Sequence, residues 1–161
     1  MLSRDMQLTQ HTDFSLRVLM YLGATQNQKV TIDELTMHLG ILRNHVTKIV
    51  NRLANLGYIH TMRGKGGGMR LAHSPADISI GAVVRQTEPG TALVNCQSPP
   101  CSISGVCKLV YTLAEAKAAF FKVLDDVTLA DLVENEDELR AKFALGKKAQ
   151  EKIRILNHGG T

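Results

Sequence analysis

Residues 31–71 read TIDELTMHLGILRNHVTKIVNRLANLGYIHTMRGKGGGMRL, and this stretch decides the fold. Thr31 followed three positions later by Glu34 is a capping box, the reciprocal pairing that opens a helix, and Gly40 is placed to end it. After a turn at Ile41 and Leu42, a second helix is expected over about residues 43–56. Its apolar stripe, Val46, Ile49, Val50, Leu53 and Leu56, recurs at helical spacing until Gly57. Tyr58 to Met62 then reads as extended chain, RGKGGG as a glycine turn, and Met69-Arg70-Leu71 as the returning strand. Helix, turn, helix and hairpin in that order describe a winged helix-turn-helix.

The flanks fit around that unit. Upstream, about residues 13–25 form an apolar, buried helix through Phe14, Leu16, Val18, Leu19, Met20 and Leu22, with Thr12 as its expected N-cap and Asp13 at the positive end of its dipole. Downstream, Ile78 to about Glu88 reads as a helix stopped by Pro89, and a cysteine-bearing loop follows. A long helix is expected over about residues 108–126, with Leu109, Leu113, Ala116, Phe120, Leu124 and Val127 on one stripe. That stripe suits a dimerisation helix or an ordinary core face. Thr128 then caps a short last helix, and the Lys/Ala-rich tail is expected to be part helix, part disordered.

Charge divides the chain in the same places. Residues 1–75 carry a net +5, residues 76–140 a net −5 and residues 141–161 a net +4, which gives the overall +4. A basic front and an acidic middle suit a polyanion-facing module joined to a regulatory or assembly module. The expected organisation is a DNA-binding domain at 6–76, a loop-and-helix region at 77–140 and a basic tail at 141–161. No signal-type leader stands at the N-terminus, and no apolar run approaches the roughly 18 residues of a membrane span. The expectation is a cytoplasmic protein with reduced thiols. No paired carboxylates or nucleophile–base set stands out, so an enzyme is not expected.

Opposite the apolar stripe of the second helix lie Asn44, Thr47, Lys48 and Asn51, flanked by Arg43, His45 and Arg52. These are side chains that read base edges or hold phosphates in a major groove. On the hairpin tip, Arg63 and Lys65 stand among glycines, a form suited to a minor groove where the potential is most negative. The tip is not a phosphate-cradling loop, because GKGGGM lacks the last glycine of GxGxxG and no Walker lysine follows. Double-stranded DNA is the expected partner.

Cys96, Cys101 and Cys107 are the chain's three cysteines, and all lie in NCQSPPCSISGVCKL, residues 95–109. An odd number of close thiols is a poor disulfide scaffold. Three uses remain open on spacing alone. A zinc site would need a fourth ligand, with His60 and His73 the nearest histidines; an iron–sulfur cluster would accept three thiolates and one weaker ligand; redox thiols would leave the third cysteine unexplained. Cys107, at the expected start of the long helix, would have its thiolate favoured by the dipole.

The segments MQLTQHTDFSLR (6–17), RNHVTKIVNRLANLGYI (43–59) and RGKGGGMRL (63–71), with three spaced cysteines, resemble the winged-helix iron–sulfur transcriptional regulators typified by NsrR and IscR. The resemblance spans about residues 6–133. The C-x4-C-x5-C spacing, LVNC at 93–96 and TLADLVE at 128–134 are similar to the nitric-oxide-sensing branch. The cluster-assembly branch has a histidine where Val110 stands here. The resemblance implies a mainly α fold, a homodimer on a palindromic operator, and a 4Fe–4S cluster (2Fe–2S being the alternative) held by Cys96, Cys101 and Cys107. It further implies a fourth ligand from the partner's first helix, at the position of Asp13, and nitrosylation of the cluster as the event that releases DNA. Two alternatives stand beside it: a regulator of iron or cluster status with the same fold, and a zinc- or thiol-based interaction module without specific DNA binding.

Overall fold

The computed structural model describes residues 7–25, 28–90 and 92–158; Met6, the expected first residue of the DNA-binding domain, lies outside them. The chain folds into seven α-helices and one antiparallel hairpin among the described residues: α1 (Gln10–Ala24), α2 (Ile32–Leu39), α3 (Arg43–Asn55), β1 (Ile59–Met62), β2 (Gly68–Leu71), α4 (Ile80–Thr87), α5 (Lys108–Asp125), α6 (Leu129–Leu132) and α7 (Glu136–His158). It is mainly α, with the winged helix-turn-helix that residues 31–71 predict.

Both arms of the expected capping box form. Thr31 Oγ1 accepts from the Glu34 amide at 3.2 Å, and Glu34 accepts from the Thr31 amide at 2.7 Å. Gly40 then closes α2 in the left-handed region at φ 65°, where a side chain would be strained. An eight-residue helix is too short to persist alone. Tertiary burial sustains α2: Leu35 packs with Val18 and Leu19 of α1 and with Val46, Ile49 and Leu53 of α3, all fully or nearly fully buried. Each such side chain contributes about 1.5–3 kcal/mol when withdrawn from water.

The hairpin pairs Ile59 with Leu71 and Met62 with Gly68. Strand β2 is tied to the helical body through Val30, which exchanges backbone hydrogen bonds with Met69 at 3.0 and 2.7 Å. The wing is therefore anchored at the residue just before the cap of α2. Behind it, α4 and α6 begin side by side, with Ile80 N–H bonded to the Val127 carbonyl and Leu129 N–H to the Ile78 carbonyl.

Two features depart from the sequence expectation. Helix α1 starts earlier, with Thr9 rather than Thr12 as the cap, and Thr12 is fully buried with its hydroxyl 3.1 Å from that of Thr9. Thr9 Oγ1 accepts from the Thr12 amide at 3.3 Å, and a non-local contact holds that cap: the Glu88 carboxylate accepts from the Thr9 amide and hydroxyl. The second departure is the tail. One helix, α7, crosses the expected 140/141 boundary and continues to His158, where partial disorder was expected. Leu139 and Phe143 pack against the core, and Phe143 meets the Tyr21 ring at 5.0 Å. Arg140 donates to the Ala24 carbonyl at the end of α1. These contacts supply the burial that composition alone does not reveal.

Candidate functional site

Helix α3 buries Val46, Ile49, Val50 and Leu53 and turns its polar side outward. Asn44, Lys48 and Asn51 are exposed there, and Thr47 is half-buried. Two of these side chains are already occupied locally: Asn44 Oδ1 accepts from the His45 amide, and Thr47 donates its hydroxyl to the Arg43 carbonyl. Arg43 pairs with Asp33 of α2, across the turn. His45 and Lys48 line a cavity of about 210 Å³ with Gln10, His11 and Phe14 of α1, so the N-terminal turn of α1 borders this side of α3. Leu42, just before α3, is 68% exposed and adds an apolar group to the same edge. Arg52 leaves this face: its guanidinium donates to the Gln86 carbonyl of α4 at 2.9 Å.

At the wing tip Arg63 and Lys65 are exposed. Gly64 (φ 96°) and Gly66 (φ 80°) bend the turn, and a Cβ on Gly67 would strike the Met62 and Gly64 carbonyl oxygens. The glycines keep the tip narrow while the two cations stay free in solvent.

The cysteine loop is built from local turns. Asn95 Oδ1 accepts from the Gln97 and Ser98 amides, the Cys101 amide bonds to the Cys96 carbonyl, and the Ser104 amide to the Cys101 carbonyl. All three thiols are free and half-exposed, and Cys107 occupies the N-cap of α5 with no side-chain cap bond. Three thiols of this kind suit a soft metal centre. The described residues nevertheless hold no group of three or more His, Cys, Asp or Glu side chains gathered as a metal site. His60 and His73 line a separate cavity of about 690 Å³ with Arg70 and Glu134, its lining free of cysteine. Asp13 is paired within its own helix: Arg17 Nε and Nη2 meet its two carboxylate oxygens at 3.0 and 2.8 Å. Within one chain, then, Asp13 and the three cysteines are not brought together.

Around the loop, α5 buries only Phe121. Ile103, Val106, Leu109, Tyr111, Phe120 and Val123 are left bare; of the apolar stripe expected on this helix, Leu109 and Phe120 are exposed, whereas Leu124 and Val127 pack against the core. At its far end α5 is clamped to α4, where Arg85 grips Asp125 through two bonds at 2.5 and 2.6 Å and lies 4.3 Å from the Phe121 ring centroid. The hydrogen bond from Arg85 holds the Asp125 carboxyl below the usual carboxylate range. Sequence reading missed Glu88, Arg85 and the contact of Arg52 with α4. Each meets a partner more than 30 residues away, so no local pattern marks them.

Residues 8–135 match the family model Rrf2, described as iron-dependent transcriptional regulator. Two relatives named HTH-type transcriptional regulator NsrR are similar along most of their length. That of Geobacillus kaustophilus is 47% identical over 140 residues, 84% of this chain and 95% of the relative. That of Halalkalibacterium halodurans is 44% identical over 144 residues, 87% and 99%. Among solved structures, CymR, titled the global cysteine regulator of B. subtilis, superposes with a TM-score of 0.68 at 20% identity, covering 81% of this chain and 98% of that one. T. potens IscR gives 0.67 at 20% identity, covering 83% and 90%. Described helices contain no stretch long and apolar enough to cross a membrane. A winged helix-turn-helix with a three-cysteine loop, matched over residues 8–135, makes this chain a member of the Rrf2 family of transcriptional regulators.

Proposed function

We propose that the chain is a homodimeric, cytoplasmic repressor that binds a palindromic DNA operator and senses nitric oxide through an iron–sulfur cluster. Cys96, Cys101 and Cys107 would hold the cluster, 4Fe–4S in this reading. Bound there, it would supply iron to which nitric oxide can bind. One observation carries the reading: three free, half-exposed thiols share a loop between the winged helix and a long helix that leaves Leu109, Tyr111 and Phe120 exposed. The division of labour follows, with residues 6–76 for DNA and residues 77–140 for sensing and pairing.

Each residue then has a task. Asn44, Thr47, Lys48 and Asn51 of α3 face the major groove, with Arg43 and His45 at its edge and Arg63 and Lys65 reaching the minor groove. A second copy packed on Leu109, Tyr111 and Phe120 of α5 would remove that apolar surface from water and set two α3 helices on one face of the duplex. Asp13 stands on the first helix, where it could leave Arg17 and act as the fourth ligand to the partner's cluster. Exchanging a salt bridge that is half-exposed costs little, so such a shift is accessible. In this reading the ligand state of the loop favours one of two dimer geometries, and only one fits the operator.

Anaerobic purification with iron and sulfide counts tests the cofactor, and operator binding during titration with nitric oxide tests the signal. Zinc without iron or sulfide would remove the cluster reading. The family description "iron-dependent" supports a second reading, response to iron or cluster supply. Release that tracks iron chelation and ignores stoichiometric nitric oxide would select it.

A further inference from the structure

The last turn of α4 meets three elements in four consecutive residues. Arg85 grips Asp125 of α5, the Gln86 carbonyl accepts from Arg52 of α3, and Glu88 accepts from Thr9 at the start of α1. Thr87 between them is buried and donates its hydroxyl to the Val83 carbonyl, so this turn has little freedom of its own. Pro89 then prevents the helix from continuing, and Cys96 follows seven residues on. Nothing in the loop itself touches α3 through a side-chain hydrogen bond among the described residues. The end of α4 is where the loop's backbone meets helices that face DNA.

We propose that this turn carries the state of the cysteine loop to the recognition helix, with Glu88 and Arg52 as its positioning residues. Arg52 acts on α3 directly. Glu88 acts through α1: its carboxylate fixes the Thr9 cap at distances of 3.0–3.2 Å, and the same first turn supplies Gln10 and His11 to the cavity that His45 and Lys48 of α3 border. A carboxylate at a helix N-terminus is held both by the orphan amides and by the helix dipole. Moving Glu88 therefore moves or uncaps α1, and the wall behind Lys48 changes with it. The proposal rests on the sensor reading above, since it concerns how that signal travels.

The test uses the full chain, cluster-loaded and cluster-free, against a fluorescent duplex selected from a random-sequence pool by the loaded protein. Wild type, Glu88→Ala, Glu88→Gln and Arg52→Ala are compared. In Glu88→Ala the ratio of loaded to cluster-free affinity is expected to shrink about tenfold, a usual size for coupling between sites. Iron and sulfide content and the visible spectrum should stay as in wild type. Hydrogen exchange at the Thr9 and Thr12 amides of the cluster-free protein should quicken. Glu88→Gln keeps one acceptor oxygen and should restore most of the ratio. Arg52→Ala should shrink the ratio while leaving the salt dependence of DNA binding unchanged, whereas a phosphate contact would lower that slope by about one. A lower melting temperature with an unchanged ratio in Glu88→Ala and Arg52→Ala would make these residues structural only and overturn the proposal. Equal affinities of loaded and cluster-free wild type would instead overturn the sensor reading from which it starts.

Discussion

His38 Nδ1 lies 3.1 Å from the carbonyl oxygen of Phe143, fastening a helix from the end of the chain to the first helix of the helix-turn-helix. A carbonyl can only accept, so the bond requires the proton on Nδ1. Tyr21 stacks against both partners, with ring centroids 5.2 Å from His38 and 5.0 Å from Phe143. Burial, with a lesser effect from Glu34, pushes the Tyr21 phenol up to about 12. One consequence concerns Gly146. In an ordinary helix, replacing glycine by alanine adds up to about 1 kcal/mol of stability. Here a Cβ on Gly146 would lie 2.6 Å from the His38 carbonyl oxygen, a backbone atom that cannot swing aside. Gly146→Ala is therefore expected to destabilise the fold, by about 1–3 kcal/mol as overpacking does. Thermal or urea unfolding decides the sign, and a stabilised variant would show that α7 does not seat on α2.

Phe143→Ala tests the same contact by subtraction. Its ring is only part-buried, so the loss should be near 2 kcal/mol, below the 3–5 kcal/mol of a fully buried aromatic. Removing residues 141–161 should reproduce that loss. If truncation leaves the unfolding midpoint unchanged, the tail contributes nothing to the winged domain.

How much of this was legible beforehand varies with the range of the forces involved. The helix-turn-helix and wing were readable because the Thr31–Glu34 box, Gly40, Gly57 and the glycine turn act over three or four residues. The start of α5 at Cys107 and the Thr128 cap were readable for the same reason, while the partner Asp131 that completes the Thr128 box was not read. What escaped was long-range. The Thr9 cap of α1 is braced by Glu88 from far along the chain, and α7 is held because Tyr21 and His38 offer it a surface. The candidate site divides likewise. The three thiols stand together in one loop by sequence, while Asp13 pairs with Arg17 on its own helix and joins no cluster of metal-ligating side chains among the described residues.

Acid should weaken two clamps first. Arg85 holds the Asp125 carboxyl below its ordinary range, and hydrogen bonds from Thr128 do the same for Asp131. A carboxylate whose folded value is lowered stabilises the fold above its unfolded value of about 3.9 and loses that contribution as pH falls toward the folded value. Unfolding midpoints should therefore fall below about pH 4, and Asp125→Asn should flatten part of that fall. An identical acid profile in the variant would show that the Arg85–Asp125 pair adds nothing.

Arg63 is free at the wing tip, so Arg63→Ala should weaken binding to the selected duplex and to random duplex DNA by similar factors. The salt slope should drop by about one, the signature of a single lost phosphate contact. Gly67→Ala should weaken binding as well while leaving the charge intact, because its Cβ would strike the Met62 carbonyl and open the turn. Unchanged DNA affinity in both variants would take the wing off the duplex.

Single Cys→Ser changes at 96, 101 and 107 should each remove the iron and sulfide of anaerobically purified protein and operator binding together, leaving helix content and self-association intact. Retention of a full complement of iron after any one change would exclude that thiol. Asp13→Ala separates the roles of its carboxylate. As a partner to Arg17 alone, an exposed pair, it should matter by no more than about 1 kcal/mol, with the visible spectrum unaltered. As the fourth ligand, its loss should shift the visible absorption and circular dichroism of the loaded dimer and speed iron release to a chelator. Because Asp13 and the cysteines are apart within one chain, a mixed dimer sharpens the test. Asp13→Ala in one subunit and Cys101→Ser in the other leave one site with all its ligands if the carboxylate crosses from the partner, and none if it comes from the same chain as the cysteines. Under the crossing arrangement, the intact cysteines belong to the Asp13→Ala subunit and the intact Asp13 to the Cys101→Ser subunit. That pairing assembles one complete site, so the mixed dimer should show half the wild-type iron with a wild-type spectrum, whereas an altered spectrum would place Asp13 in its own subunit's chemistry or outside it.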